Sequence, residues 1–281
     1  MKNLLRVDFK RVLKDKLFMV ICIIALSCAV VMPMLYVSLF FLLGGGDISE
    51  TRELMSLLGV TLDAKYLFFD SLSIGNNLGL ILPIFVGIIM FKDLSKGTIR
   101  NKIIGGYKRT SIFASNFIVS FTVMFGVIFA QAIVTLLVSL IFFPFQSTPF
   151  VIGDLWTLLL SLLFDTLIYL LVSALVTFLC ATKKSAGIVI VLYIAIALSF
   201  SILGSILQIA QLLVEVEGSS KFAVGFLEFI QNINVFTYGT TIGGITKYTW
   251  SQALYFGLAP IIFTIGLLLL GVYKFNKRDL K

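Results

Sequence analysis

The chain has 281 residues, 59% of them apolar, with 22 Lys or Arg against 14 Asp or Glu and no His. A mean hydropathy of +1.07 lies far outside the soluble range, and the missing His removes His-dependent catalysis and His metal ligation together. No G-x4-G-K-[ST] phosphate loop occurs, so the chain does not hydrolyse ATP by that machinery.

Residues 1–16 form the pattern of an amphipathic basic helix. Leu5, Phe9, Val12 and Leu13 fall on one face, with Arg6, Lys10, Arg11 and Lys14 elsewhere. Such a helix lies in the headgroup plane, drawn there by anionic lipid. Six apolar runs follow: Leu17–Leu43, Leu72–Phe91, Ile112–Ile141, Leu155–Cys180, Ala186–Gln208 and Ala253–Tyr273. Each reaches the roughly 20 residues that cross ~30 Å of hydrocarbon. Continuous apolarity, without alternation at every second residue, predicts helices rather than a barrel. The first run is too long for a cleaved signal and has no small-residue cleavage site after it.

Two longer segments separate the runs. Gly44–Ser71 opens with three glycines; Asp47 and Glu50 then stand at capping-box spacing before Leu54, Leu57 and Leu58. This predicts a short amphipathic helix. Within 209–252, Phe222, Phe226, Phe229 and Ile230 recur at helical spacing, predicting an interfacial or re-entrant helix against the outer end of the bundle. Neither segment is large enough for a separate soluble domain. The chain therefore reads as one membrane domain: interfacial helix 1–16, bundle 17–273 and tail 274–281.

Charge orients the bundle. With the N-terminus inside, the cytosolic pieces 1–16, 92–111, 181–185 and 274–281 hold 18 of the 22 Lys or Arg. That is a strong positive-inside bias, placing both termini in the cytoplasm. The pI near 9.4 follows from this topology and lends no support to a nucleic-acid partner. Cys22, Cys28 and Cys180 all fall within spans and match no metal or redox spacing, so they read as packing residues.

The basic loop Lys92–Ser111 lies between the second and third runs. Ser95 or Thr98 can cap a short helix there, with Ile99, Ile103 and Ile104 as its apolar stripe and Arg100 and Lys102 on its flanks. Gly105-Gly106 ends it, where left-handed backbone costs least. Two turns of helix are unstable alone in water and need either the neighbouring spans or a partner surface. Seated in a partner's groove, such a rod converts movement of the partner into movement of the spans.

The run Phe91-x-Asp93-x3-Gly97-Thr98-Ile99-Arg100-Asn101, followed by Gly106-x-x-Arg109-x-x-Ile112, resembles the cytosolic loop of ABC-2 type transporter permeases. In that family a segment close to F-x-x-E-x3-G-T-x-R-N…G-x-x-R-x-x-I joins the second and third of six spans. Asp93 stands where the family usually has Glu, and Asn116 where it often has Lys. The resemblance implies an all-α fold of six transmembrane helices with an N-terminal elbow helix. It also implies a cytosolic coupling helix between spans two and three and an external re-entrant or interfacial hairpin before span six. It implies a bacterial plasma-membrane protein whose coupling residues are Asp93, Gly97, Thr98, Ile99, Arg100, Asn101, Ile103, Gly105, Gly106 and Arg109. The implied partners are two copies of an ATP-binding subunit, a second permease chain (identical or related) and membrane lipid. The resemblance further implies that this chain binds no cofactor and is not itself an enzyme, ATP and Mg being held by the ATP-binding subunit.

Inside the spans, Asp165 lies ten residues past Leu155, about 15 Å along a helix and thus near the midplane. An ionised carboxylate there is costly, so it faces the bundle, a partner subunit or water. It is either a pathway or interface residue, or a carboxyl that holds helices together. Gln131, Ser199, Ser201 and Ser205 either line a polar path or bond between helices. The leading expectation is a permease that exports amphipathic or peptide cargo, such as a toxin, antimicrobial peptide or antibiotic. The alternative is an ATP-independent secondary transporter or ion channel.

Overall fold

The computed structural model describes residues 1–43, 63–75, 78–95, 97–146, 149–216, 221–242, 245 and 247–278. Among them it contains helices and no strand: α1 (Lys2–Leu13), α2 (Lys16–Leu43), α3 (Ala64–Leu72), α4 (Leu78–Ser95), α5 (Thr98–Ile104), α6 (Arg109–Ser139), α7 (Ile152–Thr182), α8 (Ala186–Val216), α9 (Lys221–Ile233), α10 (Val235–Thr241) and α11 (Trp250–Lys277). The amphipathic helix anticipated over Asp47–Leu58 lies outside the described residues.

Five helices, α2, α6, α7, α8 and α11, are long and apolar enough to cross a membrane. A sixth candidate is the pair Leu78–Asp93 and Thr98–Ile104, which meets the same test together but bends by 52° at the break. The second apolar run divides in two: Leu72 closes α3, and α4 begins only at Leu78. Gly79 explains the tight connection, since a Cβ there would come within 2.2 Å of the Ser73 carbonyl oxygen.

The bundle is organised around α7, the most enclosed of the long helices. It pairs extensively with α11, while α6 carries α2 and α3. Phe164, Ile168, Tyr169, Val172 and Val176 of α7 join Leu82 and Val86 of α4 and Val123 and Met124 of α6 in one core. Elsewhere α2, α8 and α11 turn large apolar side chains outward, among them Ile23, Val191, Ile202 and Leu269. A surface so apolar is stable only against hydrocarbon. Pro33, Pro83 and Pro260 sit inside helices, as spans tolerate where neighbouring groups satisfy the freed carbonyls.

A helix forms where Phe226 and Phe229 were expected on one, and it packs on α8 and α11. It continues into α10, which Gly204 of α8 admits to close contact; a Cβ at Gly204 would overlap Thr237. The serines of α8 do not form an inward path. Ser199 and Ser205 are exposed, and the Ser205 hydroxyl donates back to the Ser201 carbonyl of its own helix at 3.2 Å. A hydroxyl that bonds its own backbone can face lipid without an unmet donor, which removes the need for a polar lining.

A candidate coupling site at the basic end of the bundle

The short helix α5 is bracketed by two left-handed glycines, Gly97 (φ +70°) and Gly106 (φ +85°). Thr98 is the first residue of α5 and not its cap: Gly97 is the N-cap, because the 52° bend out of α4 takes a positive φ that only glycine adopts cheaply. The side chain of Ser95, the other cap anticipated, lies outside what the structure describes. At the other end Tyr107 N–H donates to the Lys102 carbonyl (3.1 Å) and Gly106 N–H to the Ile103 carbonyl (3.0 Å). These are the two bonds of a Schellman turn, which satisfies the last carbonyls.

Seven residues cannot hold a helix by backbone bonding alone. Ile99, fully buried, and Ile103, half-buried, pack with Leu4 of α1, Ile112 and Phe113 of α6, Ala181 of α7 and Phe275 of α11. The anticipated stripe therefore splits: Ile99 and Ile103 serve the chain's own core, while Ile104 is 76% exposed. Beside it Arg100, Asn101 and Lys108 are exposed as well. The 3.6-residue period sets the split, since Arg100, Asn101 and Ile104 lie on the face opposite Ile99, Lys102 and Ile103.

Lys102 is not a flanking surface charge. It is buried, with Nζ 2.7 Å from Oδ1 of Asp8, an ionic contact rather than an aligned hydrogen bond. Asp8 is completely buried, and its other oxygen accepts from the Ser115 hydroxyl of α6 at 2.7 Å. Arg11, 3.7 Å from Asp8, pairs with buried Asp93 at the end of α4. Two acids and two bases thus join α1, α4, α5 and α6 in one neutral network. A second tie runs from Lys92 Nζ to Asp15 at 2.9 Å, across the junction of α1 and α2. Asn116, next to Ser115 on α6, is 8% exposed, with its amide oxygen unbonded among the described residues.

The buried stripe of α1 is Leu4, Asp8 and Val12, with Leu5 and Phe9 half-buried beside it and Leu13 52% exposed. The helix is rotated from its expected setting because the Asp8 carboxylate must reach Lys102 and Ser115. Arg109 also works within the chain: its guanidinium donates to the carbonyls of Asn276 and Arg278, both at 2.8 Å. Arg278 in turn donates to the carbonyls of Cys180 and Ala181 at 2.9 Å and of Lys183 at 2.8 Å. It thereby closes the C-terminus of α7. These contacts bring both described ends of the chain to one end of the bundle.

A family model described as "Protein of unknown function (DUF2705)" matches residues 20–281. The chain belongs to this DUF2705 family. The matched range runs from within α2 to residue 281, and so takes in α5 with its bracketing glycines. No curated protein matches the chain.

A second polar group lies deep in the DUF2705 bundle. Asp165 of α7 is 1% exposed, and its Oδ2 has no hydrogen-bond partner among the described residues. One turn before it on α7, Ser161 bonds the Tyr248 hydroxyl at 2.7 Å. The carboxyl thus faces the bundle interior and not lipid. The sequence reading did not single out Asp8 or Arg278, and it set Lys102 on the flank of α5 rather than in the buried network. An acid set between Leu4 and Val12 in an otherwise basic helix was the signal that could have revealed Asp8.

Proposed function

We propose that this chain is the transmembrane permease subunit of an ATP-driven ABC-2 type exporter. The observation that carries the reading is α5: a two-turn helix set at 52° to α4, buried on one side and presenting Arg100, Asn101 and Ile104 on the other, with exposed Lys108 just beyond its end. A separate ATP-binding subunit, in two copies holding ATP and Mg, docks on that face, and a second permease chain completes the pathway. Six spans (α2, α4, α6, α7, α8 and α11) cross a bacterial plasma membrane with the basic end in the cytoplasm, as the positive-inside bias supports. The cargo is amphipathic or peptidic, such as a toxin, antimicrobial peptide or antibiotic.

A push on α5 has a route into the bundle. Lys102 and Asp8 carry it to α1, Arg11 and Asp93 carry it to α4, and Ile99 carries it to α6 and α11. Burial makes these contacts stiff, since a buried charge separated from its partner is strongly penalised. The exposed pair, Arg100 and Ile104, is the place to test docking. Arg100→Glu with Ile104→Asp abolishes co-purification of the ATP-binding subunit in mild detergent while the chain keeps its thermal stability. Undiminished co-purification by that variant sinks the proposal.

The buried Asp165 favours a second reading, an ATP-independent transporter or channel. Uptake into vesicles driven by an ion gradient without ATP, and lost in Asp165→Asn, is its signature.

A further inference from the structure

A cavity of about 400 Å³ lies among α8, α9, α10 and α11, and most of the side chains that line it are polar. The cause is α9. Its residues Phe226, Phe229, Ile230 and Ile233 fall on one face, and Glu228, Gln231 and Asn232 on the opposite one. That polar face lines the cavity together with Gln211 of α8 and Gln252 of α11, while Phe226 and Phe229 stay exposed on the outside. A helix lying alone on a membrane turns its polar side to water. Here α9 packs on α8 and α11, so its apolar side is left to hydrocarbon and its polar side encloses a pocket.

The pocket stands at the end of the bundle away from α5. Helix α8 leaves the basic end at Ala186, two residues after Lys184, and Gln211 lies 25 positions further on. That is about 37 Å along the helix, beyond the ~30 Å of hydrocarbon. Gln252 is in the first turn of α11, whose last turn carries Lys274 and Lys277 at the basic end. Water and soluble molecules therefore reach the cavity. Glu228 is exposed, and Gln211, Gln231, Asn232 and Gln252 are half-buried. Unlike the Gln131 amide, sealed at 2% exposure, these groups are within reach of a ligand.

Glu228 is the one charge among the described lining residues, with no base beside it in the lining. Tyr238 and Phe256, whose rings stack with centroids 4.1 Å apart, add aromatic surface to the same cavity. A carboxylate and amide oxygens accept charge-assisted hydrogen bonds from a cationic N–H, and aromatic rings attract the same cation. An anion would meet the Glu228 carboxylate with nothing to offset the repulsion. No cluster of His, Cys, Asp or Glu among the described residues could hold a metal ion.

We propose that this cavity binds the ammonium or guanidinium head of a soluble organic cation, with Glu228 as its counter-charge. A peptide's lysine or arginine side chain and a free polyamine both carry that group. The inference rests on the cavity and not on the exporter reading. Binding needs no nucleotide, ATP-binding subunit or transport, so failure of either idea leaves the other standing.

The test titrates the full chain, in a neutral maltoside detergent, with Nα-acetyl-lysine amide and follows binding by saturation-transfer NMR. Saturable binding is expected, with the strongest transfer to the methylene beside the ammonium. Nα-acetyl-norleucine amide, which lacks the charge, binds more weakly by about three- to tenfold, and Glu228→Gln weakens the lysine probe to the same extent. Glu228→Lys abolishes its binding. Both variants keep the thermal stability of the parent chain, because Glu228 is exposed. Equal affinity for the charged and neutral probes overturns the inference, as does undiminished binding in Glu228→Lys. Displacement of the probe by phosphatidylethanolamine, with phosphatidylglycerol at the same content without effect, overturns it too by giving the site to a lipid amine.

Discussion

Asp8 is the residue on which the basic end turns. It is completely buried, its two oxygens are divided between Lys102 and Ser115, and Arg11 stands 3.7 Å away. Removing one member of a buried pair costs about 3–5 kcal/mol, because the remaining charge loses its compensation, whereas replacing both is far milder. Asp8→Ala therefore lowers thermal stability in detergent by an amount of that order. Adding Lys102→Met to it restores much of the loss. Equal and additive losses in the two single variants and the double variant would show that the residues act independently.

Two elements owe their form to their ends. The positive φ of Gly97 and Gly106 sets where α5 starts and stops. A Cβ at either glycine meets no neighbour within 4 Å, so Gly97→Ala and Gly106→Ala cost only backbone strain, about 1–2 kcal/mol each. The expected readout is faster amide exchange confined to residues 98–104 in the Gly106→Ala chain, with α6 unchanged; exchange that spreads through α6 contradicts it. The C-terminus of α7 depends instead on one side chain. Arg278 takes three of its closing carbonyls at 2.8–2.9 Å. Arg278→Ala leaves them unmet and speeds amide exchange over residues 179–183, while Arg278→Lys, lacking the planar fork, recovers only part of the protection.

Across the bundle, charge and apolarity divide cleanly. The described bases of α1 and α5, Lys183, Lys184 and Lys274–Arg278 gather at the end where Arg109 meets the last turn of α11. If that end is cytoplasmic, Ser185→Cys in a cysteine-free chain is modified by an impermeant thiol reagent only in inverted vesicles. Lys247→Cys is then modified only in intact cells. The reverse pattern overturns the orientation and the exporter reading with it.

Much of this was legible in the residues. Length and continuous apolarity set the class and the positions of the long helices, because a segment crossing hydrocarbon must satisfy its own backbone and so must be helical. Gly105-Gly106 marked the end of α5, where Gly106 takes left-handed backbone without strain; its start, expected at a Ser95 or Thr98 cap, falls at Gly97. Folding decided which side of α5 faces inward. Helical periodicity ranks faces relative to one another and does not say which neighbour covers each, so Ile103 and Ile104 looked alike until Leu4, Phe113 and Phe275 closed over one of them. The charge network was hidden for the same reason. Arg11 and Asp93 stand 82 positions apart, and Asp8 and Ser115 stand 107 apart. No local rule links residues so distant; they meet because the packing of α1 against α4 and α6 removes them from water together, and each charge is then stable only beside the other.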